Sequence, residues 1–185
     1  MMMKPTHITI MSTTTIEKES AVAAIEFPKA TEEHAWLQQF IGKWESEAEC
    51  FCDPNGPPMI NKGTETIRAL GDFWIVSEIK SDADASFPFA SLMMIGYDPE
   101  KGKYVGTWAD TMSSFMFKYE GSVSADGKKL TLETEGFCPM NPGVLTKFRE
   151  ELELKSPDHK FFTSSIQGED GEWRIGVRSN AYRKA

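Results

Sequence analysis

From Trp44 onward, apolar and polar residues alternate. Trp44-Glu-Ser-Glu-Ala-Glu-Cys50 puts Glu45, Glu47 and Glu49 on one face, the period of a strand with one wet side. Strand-like runs follow over Gly63–Leu70, Phe73–Lys80, Phe89–Tyr97, Lys103–Asp110, Ser114–Ser124, Lys129–Gly136, Val144–Lys155, Lys160–Gln167 and Glu172–Arg183. The connections are short and rich in turn residues, such as Ala-Asp-Gly, Ser-Pro-Asp and Glu-Asp-Gly. No long helical crossover separates the strands, so the sheet is expected to be antiparallel. Such a meander exposes two edges unless it closes on itself. The pattern therefore predicts an all-β, antiparallel up-and-down barrel of about ten strands, with a two-sheet sandwich as the alternative.

The stretch Gly96–Gly121 carries the densest aromatic run: Tyr97, Tyr104, Trp108, Phe115, Phe117 and Tyr119. Its turn, Asp98-Pro99-Glu100-Lys101-Gly102, suits a hairpin, because Pro99 presets φ and Gly102 tolerates a positive φ. Gly106 is expected where the sheet coils tightly. Before the strands, Thr31–Ile41 reads as one short helix. Thr31 is the N-cap, Glu32 and Glu33 suit the positive end of the dipole, and Gly42 is a stop. Trp36, Leu37, Phe40 and Ile41 form an apolar stripe. Residues 1–30 show no sustained period and read as a tail, leaving 31–185 as a single domain.

Composition narrows the partners. The net charge of −8 disfavours nucleic acid and anionic membrane surfaces, which need a cationic footprint. The longest uninterrupted apolar run in the body, Leu92–Ile95, is too short to span a bilayer. The start has no continuous apolar core of a signal peptide. Cys50, Cys52 and Cys138 are an odd set, and an i, i+2 pair on one strand does not form a disulfide readily. These features predict a cytoplasmic protein.

The segments HAWLQQFIGKWESEAEC, GTETIRALGDFWIVSE, MMIGYDPEKGKYVGTWADTM, YEGSVSADGKKLTLETEG and EDGEW occur in this order. Together they resemble DUF1579, an uncharacterised bacterial family, over about residues 34–183. The specific part is GYDP…G.Y.GTW.D.M. The resemblance implies a calycin-like, lipocalin-type cup. It implies no activity, catalytic residue or cofactor. The chain departs from the pattern at FCPMNPG, Phe137–Gly143.

Alternation also sorts the candidate chemistry. Glu65 shares a face with Ile67 and Ala69, Glu150 with Phe148 and Leu152, and Glu78 with Trp74 and Val76. Two such carboxylates converging in a dry cup would give one a raised pKa and acid–base competence. The competing reading pairs each with an arginine such as Arg68, Arg149, Arg174 or Arg178. Trp44, Trp74, Tyr97, Trp108 and Tyr119 are candidate lining for a small apolar ligand, with Asp110 and Met112 at the rim. Met93, Met94 and Met116 would add adaptable surface. The competing reading is that these side chains simply fill the core. A metal site has little support, because His7, His34 and His159 fall in the tail, the helix start and a turn. Haem lacks a strand histidine, and no nucleophile elbow or phosphate loop occurs. The sequence is thus compatible with a ligand-binding barrel, a carboxylate enzyme, or a homodimeric module that pairs through an exposed sheet edge or the helix stripe, with Trp36 or Phe40 in its interface.

Overall fold

The computed structural model describes residues 27–53, 56–137 and 143–184. Most of the expected tail and Cys138 lie outside the described residues. Ten strands run in order: β1 Gly42–Cys50, β2 Met59–Leu70, β3 Trp74–Ser81, β4 Ala90–Asp98, β5 Lys103–Asp110, β6 Phe117–Val123, β7 Lys129–Phe137, β8 Leu145–Ser156, β9 His159–Gln167 and β10 Trp173–Arg183. Each pairs antiparallel with its sequence neighbours, and β1 pairs with β10, closing a barrel. Closure leaves no free edge along the meander, which removes the sandwich alternative.

The expected hairpin forms. Asp98 Oδ1 accepts the backbone N–H groups of Glu100 (3.0 Å) and Lys101 (3.3 Å), and Gly102 takes φ +64°. At Gly106 the neighbouring strand comes so close that a Cβ would stand 2.5 Å from the carbonyl oxygen of Met94. Two boundaries move. β2 begins four residues before the alternating run suggests, and His159 belongs to a strand rather than a turn. His159 bonds Asn180 at 2.9 Å and stacks on Tyr182, both on β10.

The helix α1, Glu32–Gln38, is shorter than its apolar stripe. Thr31 is its N-cap, and the Thr31 backbone N–H donates to His34 Nδ1 at 3.0 Å. His34 thus takes the place of the Glu or Gln usual in a capping box, which accounts for a buried histidine. The stripe docks on the barrel's own end. Leu37 and Phe40 are fully buried, and Trp36 Nε1 donates to the Gly127 carbonyl at 2.8 Å. Tyr104 donates its hydroxyl to the Glu33 carbonyl at 3.1 Å. Burying Leu37 and Phe40 contributes about 1.5–3 kcal/mol each. Arg183 fastens the same end, donating to the carbonyls of Ile41 and Gln39 beyond α1 and of Pro157 between β8 and β9. Phe40 is therefore spent inside the chain rather than offered to a second copy. No helix among the described residues is long and apolar enough to cross a membrane.

Candidate functional site

The barrel is not filled. A cavity of about 390 Å³ lies inside it. Fully buried Trp44, Leu37 and Phe40 close the end that carries α1. The opposite end has no such plug among the described residues. It is bordered by Cys52, Phe87, Phe89 and Met112. The walls are the inward positions of alternating strands, chiefly Met93, Ile95, Phe117, Leu130, Leu132, Phe148, Leu152 and Phe162.

Three of the polar features that interrupt this apolar wall bear on its chemistry. The first is an ion pair between Glu65 on β2 and Lys160 on β9, whose side chains are 10% and 5% exposed. Glu65 Oε1 also accepts the Ser77 hydroxyl at 2.6 Å, so both oxygens are engaged. In register, Trp44 stands beside Glu65 and Ala181 beside Lys160. Lys160 Nζ lies 5.1 Å from the Trp44 ring centroid, and the Arg183 guanidinium lies 4.2 Å from it. Burial pushes the Lys160 ammonium below its ordinary range, against the opposing pull of Glu65.

The second is Glu150, in the middle of β8. Its register neighbours are Leu132 on β7 and Ser164 on β9. Ser164 donates its hydroxyl to Oε1 at 3.1 Å, while Oε2 is buried without a hydrogen-bond partner. Burial raises this carboxyl to about 8, with only Ser164 acting in the other direction. The third is Tyr119 on β6, whose hydroxyl is held well above its ordinary value by burial and then by the nearby Glu150.

At the open end, Trp108 Nε1 donates to Asp110 Oδ2 at 2.7 Å. Asp110 Oδ1 accepts the backbone N–H groups of Met112 (2.8 Å) and Ser113 (3.0 Å), which ties the rim loop to β5. Met112 is 56% exposed there. Thus Glu65, Glu150, Trp108, Asp110, Met112 and Tyr119 all border one cavity.

Four candidates lie elsewhere. Glu78 faces outward, 3.9 Å from Arg68, because Ser77, Ile79 and Ser81 are the inward residues of β3. Trp74 shares that outer face and covers Gly96, whose Cβ would stand 2.4 Å from the indole. Tyr97 packs beneath α1, 5.1 Å from Tyr104 and 5.7 Å from His34 between ring centroids. Trp44 seals the barrel end and donates Nε1 to the Phe40 carbonyl at 2.9 Å. The converging carboxylate pair does not form. Glu65 bonds Lys160 and Ser77, Glu150 bonds Ser164, and Glu78 turns away. The remaining arginines pair outside the cavity: Arg149 with Glu133, Arg174 with Asp170 and Arg178 with Glu49.

Lys160, Ser164, Phe162 and Asn61 also border the cavity and were missed by sequence reasoning. Parity offered a signal, since Lys160, Phe162 and Ser164 share a face of β9. Cys50 and Cys52 are free thiols at the rim, and burial pushes the Cys50 thiol up. Among the described residues, no three His, Cys, Asp or Glu side chains cluster as metal ligands.

The architecture has counterparts among solved structures. Rv2717c from M. tuberculosis superposes with a TM-score of 0.62 at 13% identity, over 85% of this chain and 100% of that one. The S-type phycobiliprotein lyase CPES from Guillardia theta gives 0.52 at 12% identity, over 82% and 92%. These identities establish the shared fold and nothing finer. Among curated protein sequences, none matches significantly. Residues 29–183 match the family described as a protein of unknown function, DUF1579. That match spans all ten strands and α1, and the chain belongs to the DUF1579 family.

Proposed function

We propose that this protein is a non-enzymatic barrel that binds one small, mainly apolar molecule. The observation that carries the reading is the unfilled interior. A chain of this size can pack its core, and an unfilled apolar space forfeits both transfer and packing energy. Retaining about 390 Å³ behind a plugged end and an apolar rim makes sense when a ligand completes the core. Ligand pockets commonly fall in this size range and combine apolar walls with a few placed polar groups. The fold alone does not choose this function, since one architecture serves many chemistries.

The enzyme reading has less support. Paired acid–base catalysis needs two titratable groups each in reach of its proton on one substrate, and the interior carboxylates are engaged separately, Glu65 by Lys160 and Glu150 by Ser164. The test is titration with a neutral fluorescent apolar dye. Saturation at one dye per chain, lost when Phe162→Trp and Leu132→Trp together fill the cavity, is expected. Equal dye uptake by the filled variant would refute interior binding.

A further inference from the structure

We propose that Glu150 is the polar anchor of this cavity and that it takes a basic nitrogen on an otherwise apolar, ring-bearing ligand. This rests on the ligand-binding reading and names the class of ligand.

A polar atom in the cavity wall lacks a bond. Glu150 Oε2 is buried and has no partner, while Oε1 already accepts from Ser164. A buried carboxyl oxygen without a bond is costly, so such an atom is normally satisfied by water or a ligand. The barrel wall offers it no cation. Two lysines border the cavity, and each is held by a glutamate: Lys160 by Glu65, and Lys62 by Glu47 at 3.2 Å. Arg183 lies against Trp44, at the sealed end. Tyr119 on β6 is the titratable group near Glu150, and Asp110 on β5 and Glu65 on β2 border the same cavity. None of these brings a positive charge to Oε2.

A basic nitrogen meets both possible demands of the site. With the proton on Glu150, Oε2–H donates to the nitrogen lone pair. With the proton on the ligand, the N–H donates to the carboxylate as a charge-assisted bond. For an aliphatic amine, already charged in water, the balance is simple. The ammonium enters, the Glu150 O–H bond breaks, its electron pair stays on the carboxylate, and one proton passes to solvent. Phe117, Phe148 and Phe162 border the same space and offer ring faces that favour a cation. An anionic ligand would meet a carboxyl with no compensating charge and is disfavoured. The chain's net charge of −8 favours encounter with cations over anions.

Isothermal titration with three matched probes tests this: naphthylmethylamine, naphthylmethanol and naphthoic acid. Each is run at about pH 6.5, below the Glu150 titration, in two buffers of different ionisation enthalpy. The amine is expected to bind about tenfold tighter than the alcohol. It should release about one proton per site, and the alcohol none. In Glu150→Gln the amine should lose its advantage and its proton release, while the alcohol binds as before. Glu78→Gln, which removes an outward carboxylate beside Arg68, should retain both. Equal binding of amine and alcohol to the wild type, or an amine advantage that survives Glu150→Gln, would overturn the anchor and leave the cavity reading intact. Failure of all three probes to bind would overturn both. If Glu150→Gln does not fold, the wild-type proton count decides the matter.

Discussion

Glu65 and Lys160, 95 residues apart in the chain, meet inside the barrel as an ion pair that joins β2 to β9 across β1 and β10. Neither has solvent to fall back on. Removing one partner leaves a charge buried without compensation, which typically costs about 3–5 kcal/mol. Glu65→Gln should therefore destabilise the protein by about that amount in urea denaturation. Glu65→Leu combined with Lys160→Met should recover most of the loss, because a well-packed apolar pair avoids the desolvation cost. Additive losses in the double variant would show that the pair is held by something besides charge.

Trp44 and Trp108 are the same residue in different mechanical roles. Trp44 is fully buried at the sealed end, and Trp108 is partly buried and borders the cavity. Trp44→Ala should cost about 3–5 kcal/mol in thermal melts. Trp108→Ala should cost about 1–2 kcal/mol and weaken naphthylmethanol binding by about tenfold. Comparable stability losses from both changes would mean that Trp108 is packed as core.

Glu150 makes stability depend on pH in a defined direction. Its carboxyl titrates at about 8 in the folded chain against an ordinary value of 4.5. Between those values the folded state binds the extra proton, so stability falls as pH rises through the window. Below the lower value both states are protonated and the contribution is constant. At about 1.4 kcal/mol per pKa unit, the loss is a few kcal/mol. Glu150→Gln should flatten this slope and be more stable than the wild type at about pH 8.5. Urea denaturation at both ends of the window reads the difference, and parallel slopes for the two proteins would place the raised carboxyl elsewhere.

Gly106 is required by a backbone contact. A Cβ there would stand 2.5 Å from the Met94 carbonyl, so neither residue can yield without shifting a strand. Gly106→Val should lower stability by about 3 kcal/mol or more, as strained core insertions do. A wild-type melting temperature would show that β4 and β5 can separate at this point.

The barrel was legible in the sequence because most strands have one wet face, so the two-residue period survives. The inward placement of Glu65 and Glu150 followed from the same period on β2 and β8. It failed on β3, where Trp74 and Val76 are as apolar as Ile75 and Ile79 opposite. There hydrophobicity could not tell inside from outside, and Trp74 covering Gly96 settled it. Trp44 and Tyr97 point inward as expected but sit at the sealed end. That depth depends on where α1 docks, a tertiary contact with no local pattern. Lys160 was hidden for a related reason. A strand lysine normally faces water, and its partner lies on a distant strand.

The central claim is that the barrel holds a small molecule. Native mass spectrometry of protein purified from its own host, before and after mild denaturation, tests it most directly. The expected result is a chain heavier than its sequence mass, and release of one small, mainly apolar, nitrogen-bearing compound on denaturation. A bare mass that stays bare when excess naphthylmethanol is added to the same sample would contradict it.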